Sequence, residues 1–535
     1  MSTEDNDPID DLRRAPTVEP NPVDPAVAEA DATTGNADSI KQLGMGAAIM
    51  SLGYVFWVVG GMEMVERLAF YGVKAVASIY ATDAVSHGGL GLTPSQYGDI
   101  TFVWALVQSF VPVFTGGLSD RFGYKETIAV STVIKIMGYL LMALFPSYYG
   151  FMGGAVVLAL GTAVFKPGIQ GTLVNSTRPE NSSMAWGIFY QTVNIGGFLG
   201  PLVASHMRSH FGWKQVFFAC VGIICMNFLL LLTYKEPGKA ERLAKAKDIK
   251  DGKLQQENLF ADSIHEIKKP HVWLYLLIFS GFWFMFNSLF DVLPLHIKEW
   301  VNTENIVNDL FGPGGTRNPV FKFLLGMNNE GTHVNPEGML NLNAGLIMVT
   351  CFFFAWVSGK MRATTSMVIG TLLATAAMFM SGYSTLGWLS VGAILVFSTG
   401  EMLSSPKFSE FIGNFAPKGK KGMYLGFSQI PLGIGWSLEG LLAPRLYDHY
   451  ASKERFAREL LLEKGMSASD VDAIKGGEAF FKLVEFLGKD QHEVTRMLYD
   501  THNVGMMWTI MGAIGIISAI CIWKYGNWFR KQKIS

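Results

Sequence analysis

Charge is sparse in this chain: Asp, Glu, Lys and Arg make up 16% of its 535 residues, against 50% hydrophobic. That is too little charge for an ordinary large soluble protein. Cysteine is scarcer still. Cys220, Cys225, Cys351 and Cys521 all lie in apolar runs, where they read as small packing residues rather than disulfide partners or metal ligands. The chain has no GxSxG or HExxH motif, no cysteine–histidine metal spacing and no Gly-Lys-Ser/Thr phosphate loop, so neither an enzyme nor a primary pump is expected. No cofactor, metal or nucleic-acid partner is expected either.

What the chain does have is glycine, 58 residues of it, and long apolar segments. Both suit packed transmembrane helices. A span needs roughly 20 residues to cross about 30 Å of hydrocarbon, and such segments recur near 48–83, 98–118, 126–145, 150–172, 184–206 and 214–234. After a polar break they recur near 272–297, 341–358, 364–384, 386–415, 422–446 and 504–525. The expected architecture is all-α and integral to the membrane, with about 12 transmembrane helices in two six-helix halves, as in a duplicated bundle.

The expected organisation is a disordered, mildly acidic tail at 1–44 without the layout of a cleavable signal peptide, a first half at 45–234, a linker at 235–271, a second half at 272–526 and a tail at 527–535. Two long loops, 298–340 and 447–503, lie on the far side from the linker. The second carries Phe456, Leu460 and Leu461 at helical spacing and is expected to form a small helical excursion. Basic residues gather on the other side: Arg121 and Lys125, the linker lysines, Lys360 and Arg362, Lys418 to Lys421 and Arg530 to Lys533. By the positive-inside rule both termini are expected in the cytoplasm of a plasma membrane or bacterial inner membrane.

Against this apolar background the run Glu63-Met64-Val65-Glu66-Arg67 in span 1 stands out. An ionised side chain near the bilayer centre costs at least ~2.5–3.5 kcal/mol, so three within five residues mark a protein-lined, partly wet cavity used for transport or proton relay. Glu63 and Arg67 are spaced i,i+4 and can pair, leaving Glu66 for a proton or another cation. Lys166 lies too deep in span 4 to snorkel, so it needs a carboxylate, and Glu63 or Glu66 is the candidate. Glu401 sits near the middle of span 10 with no cation within a turn upstream. It suits the amine of a zwitterionic ligand, while the basic cluster suits its carboxylate. His206 and His210 are spaced i,i+4, yet lack the further ligands that zinc requires.

Several motifs carry a family resemblance. Gly117-Leu118-Ser119-Asp120-Arg121-Phe122-Gly123-Tyr124-Lys125, at the junction of spans 2 and 3, resembles the loop signature of the major facilitator superfamily. There Asp120 and Arg121 would lock helix ends in one state of a rocking bundle. EMVERLAFYG from Glu63, GTAVFKPGIQG from Gly161, IFYQTVNIGGFLGP from Ile188 and GEMLSSPKFSEFIGNFAP from Gly400 together resemble the proton-dependent oligopeptide transporter (POT/PTR) family. The resemblance implies a proton-coupled symporter that imports small peptides or related zwitterions by alternating access, with protons and the lipid bilayer as its other partners; a monomer is one expectation, and the sequence leaves the oligomeric state open. It places proton coupling on Glu63, Glu66, Arg67, Lys166 and Glu401. Substrate binding falls on Arg67, Tyr71, Lys74, Lys166, Asn194 and Glu401. Tyr71 could equally be packing, and Asn194 an interhelical hydrogen bonder.

Departures from the family pattern bear on the solute. Lys74 stands where an arginine is usual, and an ammonium cannot make a bidentate fork. Phe70 replaces a tyrosine, Phe286-Asn287-Ser288 replaces Phe-Glu-Gln, and Ser405-Pro406-Lys407 and Glu410 stand where relatives are apolar. The nearest acid in span 7 is Asp291, one turn on. Since relatives pair a span 1 cation with a span 7 acid as an outer gate, Lys74 and Asp291 are expected to form that gate, with Asn287 as a polar neighbour. The alternatives are a family member for an amino-acid conjugate, anion or drug, and a non-transporting membrane sensor of the same fold.

Overall fold

The computed structural model describes residues 43–531 except 44, 179, 251–258, 384, 415, 418–423 and 425. The acidic tail therefore lies outside the described residues. Among those described are twelve helices of twenty residues or more: α1 (Tyr54–Lys74), α2 (Pro94–Phe122), α3 (Tyr124–Leu144), α4 (Tyr148–Val174), α5 (Ser182–Phe211), α6 (Trp213–Leu232), α7 (Pro270–Asp291), α8 (Pro336–Gly359), α9 (Ala363–Gly382), α10 (Gly387–Asn414), α11 (Gln429–Tyr450) and α12 (Gly505–Lys531). Eight are long and apolar enough to cross a membrane on composition alone. The exceptions, α1, α2, α5 and α11, include the helices on which the buried charges of the two halves meet.

Local signals set the helix ends. Thr93 caps α2, accepting from the Gln96 amide while Gln96 returns a bond to the Thr93 amide, and Pro94 opens the first turn. Ser147 caps α4 by accepting from the Gly150 amide. Such caps satisfy amides that the helix itself leaves without partners. The first apolar segment is not one helix. It breaks at residues 51–53, runs as α1 to Lys74, and resumes at Ala77–Thr82. The last helix continues to Lys531, past the boundary expected at 526, because nothing in Asn527-Trp528-Phe529-Arg530 stops a helix.

α1 packs on α5 and α6, α3 on α4, α9 on α10 and α12, and α7 on α11, while α2 with α11 and α5 with α8 join the halves. The α1–α5 contact depends on glycine. A Cβ on Gly196 would stand 2.5 Å from the Met64 carbonyl, and one on Gly200 would stand 2.6 Å from the Leu68 carbonyl. Only hydrogen at these positions lets the two backbones meet, which holds the charged turns of α1 against α5. Large apolar side chains on α8 face outward; Val349, Phe352, Phe353 and Trp356 are all exposed, as lipid contact requires.

The linker contains helices Lys239–Lys250 and Leu259–Ile267. At the opposite end, the stretch after α11 folds into four short helices between Lys453 and Thr501. Phe456 and Leu461 are buried there, and the Trp300 indole donates to the Ala451 carbonyl at 2.8 Å. These two ends of the bundle are called the linker end and the loop end below.

Candidate functional site

α1 presents its carboxylates to three cations. Glu63 and Glu66 are 0% and 1% exposed. The Arg67 Nε donates to Glu66 Oε2 at 2.5 Å and lies 3.3 Å from Glu63 Oε1. Lys166 of α4 donates to Glu63 Oε1 at 2.6 Å, so of its two candidate partners it takes Glu63. The third cation is Lys135 of α3, fully buried, whose Nζ donates to Glu66 Oε1 at 2.7 Å and lies 3.8 Å from the Phe165 ring centroid.

Lys135 was not among the residues expected here, although the signal was present. It is the only ionisable side chain between Thr127 and Leu144 apart from Tyr139, and the same membrane cost that marks Glu63 marks it. It belongs to no family motif quoted above. Gly161 makes room for it, since a Cβ there would sit 2.6 Å from Lys135 Cγ.

Two carboxylates among three cations leave this cluster with one excess positive charge when all are ionised. Lys135 and Glu66 are both shut away from water, and Glu66 is the one carboxylate that Lys135 meets, whereas Glu66 also holds Arg67; removing Glu66 therefore strands the Lys135 ammonium. Glu66→Gln is expected to destabilise the protein by about 3–5 kcal/mol, and the double variant with Lys135→Met should recover most of the loss. Thermal melting of the purified variants checks this; equal melting of Glu66→Gln and wild type would refute it.

At the cavity the other half offers the acid Glu401. Glu401 on α10 accepts from Asn343 of α8 at 2.9 Å, and Asn343 also donates to Ser398 at 3.0 Å. Between the halves lies a cavity of about 60 Å³ lined by Tyr71, Asn194, Phe286, Phe290, Asn343 and Glu401, among others. Ligand pockets usually exceed ~300 Å³, so the site is contracted in this conformation. Of the expected binding residues, Tyr71, Asn194 and Glu401 line the cavity. Arg67, Lys74 and Lys166 do not. Asn194 Nδ2 donates to its own helix, at the Tyr190 carbonyl.

At the loop end the halves are bolted together. Lys74 donates to both oxygens of Asp291, at 2.5 and 2.7 Å, and the pair is buried. Tyr97 of α2 donates to Asp291 Oδ1 at 2.6 Å, and Trp436 of α11 to Oδ2 at 3.2 Å. Asn287 does not join them; its amide donates to the Trp283 carbonyl one turn back in α7, which spends it on its own helix. Arg445 pairs with Asp99, Ser95 donates to Asp448 at 2.5 Å, and Arg208 of α5 donates to Glu337 of α8 at 2.7 Å.

Outside the spans, Lys298 binds Asp83 at 2.9 Å. Burial alone would raise the Asp83 carboxyl. Lys298, Arg208 and the Trp213 indole outweigh it, and the carboxyl sits below the ordinary aspartate range.

The Asp120 and Arg121 side chains lie outside the described part of the structure. Among the described residues no three His, Cys, Asp or Glu side chains form a metal-binding group. His206 and His210 face each other with ring centroids 4.2 Å apart, and the His210 Nδ1 is 3.0 Å from the His206 carbonyl.

Comparison with known proteins gives the superfamily and the fold. The model of the Major Facilitator Superfamily matches residues 59–438. The peptide transporter YePEPT of Yersinia enterocolitica is 28% identical over 176 residues, 32% of this chain and 34% of that protein, so the chain spans about a third of the length of this relative. The multidrug resistance protein MdtH of Photorhabdus laumondii is 21% identical, over 74% of this chain and 87% of that one. A crystal structure of the peptide transporter POT in complex with sulfate aligns with a TM-score of 0.62 at 15% identity, over 91% of this chain and 99% of the other.

Proposed function

This chain belongs to the major facilitator superfamily and is a multi-pass membrane protein, and from that premise we propose that it is a proton-coupled symporter of the oligopeptide-transporter type, importing small peptides or related zwitterions. The observation that carries the reading is the opposite charge of two buried sites, one in each half. The cluster on α1, α3 and α4 holds Glu63 and Glu66 among Arg67, Lys135 and Lys166, an excess of one positive charge. Across the cavity stands Glu401, held by the neutral Asn343. A solute with a carboxylate and an amine complements that field, the carboxylate toward α1 and α4 and the amine toward α10.

Proton coupling follows from the same groups. Protonating Glu63 or Glu66 frees a cation, which can then bind a solute carboxylate, so proton and solute binding are linked. Lys166 is the exposed member, with 34% of its side chain accessible. Glu63 Oε2 has no partner. Protons and solute therefore reach this cluster through Glu63 and Lys166, while Glu66 and Lys135 lie behind. Both poles come from one chain, so a monomer suffices. The run of basic residues at the linker end supports a cytoplasmic location for both termini.

The experiment is uptake into proteoliposomes under an imposed pH gradient, tested with dipeptides, tripeptides, amino acids and anions. Accumulation of a zwitterion that collapses with a protonophore is expected. Blocking the amine tests the Glu401 pole. N-acetylation should weaken binding to wild type by roughly 10-fold or more, since a buried acid is left without its partner, and the penalty should shrink in Glu401→Gln. Equal binding of free and blocked amines would remove Glu401 from the site.

Drug transport is a second reading, favoured by the match over 87% of MdtH. Uptake of an apolar cation in the same assay, with no response to zwitterions, would select it.

A further inference from the structure

We propose that Glu439 of α11 is a second proton-binding carboxyl, shared with Asp291, whose protonation accompanies closure of the loop end. It rests on the transport reading for its consequence only.

Glu439 lies in the middle of the helix that packs on α2 and α7 across the two halves. It is 0% exposed. Neither of its carboxylate oxygens has a hydrogen bond of good geometry, and the hydroxyl of Ser288, the nearby donor, is spent on the Phe284 carbonyl at 3.1 Å. Three residues earlier, Trp436 donates to Asp291. From the elements around it, the groups facing Glu439 are Asp291 and Ser288 of α7, Tyr97 of α2 and Lys74 of α1. α12, which also packs on α11, has no ionisable residue between Gly505 and Ile520.

The charges at this spot do not balance if both acids are ionised. Lys74 is the one cation facing two carboxylates, and Asp291 already takes all of it, with one Nζ hydrogen bond to each oxygen. Asp291 is further held by Tyr97 and Trp436. The Lys74 ammonium also sits 4.5 and 5.5 Å from the Trp436 and Trp104 ring centroids, so it is enclosed by aromatic faces rather than drawn toward Glu439. An ionised Glu439 would be a buried charge without a cation of its own beside another anion, a cost of several kcal/mol.

A single proton resolves every part of this. A neutral Glu439 carboxyl removes the like-charge repulsion and gains an O–H that Asp291 can accept, as in buried carboxyl pairs that share one proton. Opening the loop end breaks the Lys74–Asp291 pair and admits water, where both acids ionise. Closure thus takes up a proton at Glu439, at a point distinct from the α1 cluster, and alkaline conditions favour opening.

The test needs no transported solute, so it stands whether or not the peptide reading does. In a variant with the four native cysteines replaced, a cysteine at Ser95, which bridges to Asp448 in the closed form, reports opening by its rate of maleimide labelling. One proton taken up per closure changes that rate by up to about tenfold per pH unit across the transition. Glu439→Gln, a neutral group of the same shape, should stay closed at alkaline pH and lose most of that dependence. Infrared difference spectra of wild type between acid and alkali should also show a protonated-carboxyl stretch that is absent in Glu439→Gln and shifted in Glu439→Asp. A wild-type labelling profile in Glu439→Gln would overturn the proposal. If that variant does not fold, absence of any protonated-carboxyl band in wild type with the loop end closed would overturn it equally.

Discussion

Glu63→Gln and Glu66→Gln are each expected to abolish accumulation driven by a pH gradient, down to the level of liposomes without protein, while counterflow exchange persists in Glu63→Gln. An amide cannot cycle its charge with pH, so the step that ties proton movement to the cation network is lost. Exchange requires no net proton movement and survives wherever the solute still binds. The two variants should differ in a second respect. Glu63 meets Lys166 at the accessible side of the cluster, whereas Glu66 is enclosed with Lys135 and Arg67. Neutralising Glu66 strands a fully buried ammonium, so Glu66→Gln should also lower thermal stability, by about 3–5 kcal/mol. Glu63→Gln should change solute affinity more than stability. A Glu63 or Glu66 variant that still concentrates solute like wild type would remove that residue from coupling.

The parts of this site that were legible in the sequence are those where one physical rule acts alone. Glu63, Glu66, Arg67, Lys166 and Glu401 are ionisable residues in apolar helices, and the cost of placing charge in hydrocarbon marks each of them. Which carboxylate Lys166 meets was not legible, since it depends on how α1 and α4 are rotated against each other. Lys135 and Glu439 obey the same rule but fall outside any motif, so only the cost of their charge within an apolar segment marks them. Span ends were less clear. α1 and α11 carry several charges each, so their composition resembles that of ordinary helices even where they cross the bundle. The pairing of α2 with α11 and of α5 with α8 is long-range and leaves no local trace. The volume of the cavity, about 60 Å³, is likewise set by how the two halves pack and leaves no local trace.

Lys74→Asp and Asp291→Lys should each lose most transport, and the double variant should recover a substantial part of it. The two residues come from opposite halves and meet at 2.5 Å, so each single change places two like charges face to face in a buried site. Reversal of both restores attraction with roughly the same geometry, and a coupling of about 0.5–3 kcal/mol between the substitutions is the scale on which contacting residues depart from additivity. Recovery should fall short of wild type for a reason the surroundings supply. Tyr97 and Trp436 both donate to the acid at position 291, and a lysine there offers those donors nothing to bind. The aromatic rings of Trp104 and Trp436 around the Lys74 ammonium would in turn meet a carboxylate, which the negative face of an aromatic ring repels. The single variants should also raise labelling at the loop end, because the pair stabilises the closed arrangement and breaking it shifts the population toward the open one. Strictly additive losses in the double-mutant cycle, or unchanged labelling in both single variants, would show that the Lys74–Asp291 pair holds the helices together without gating the path.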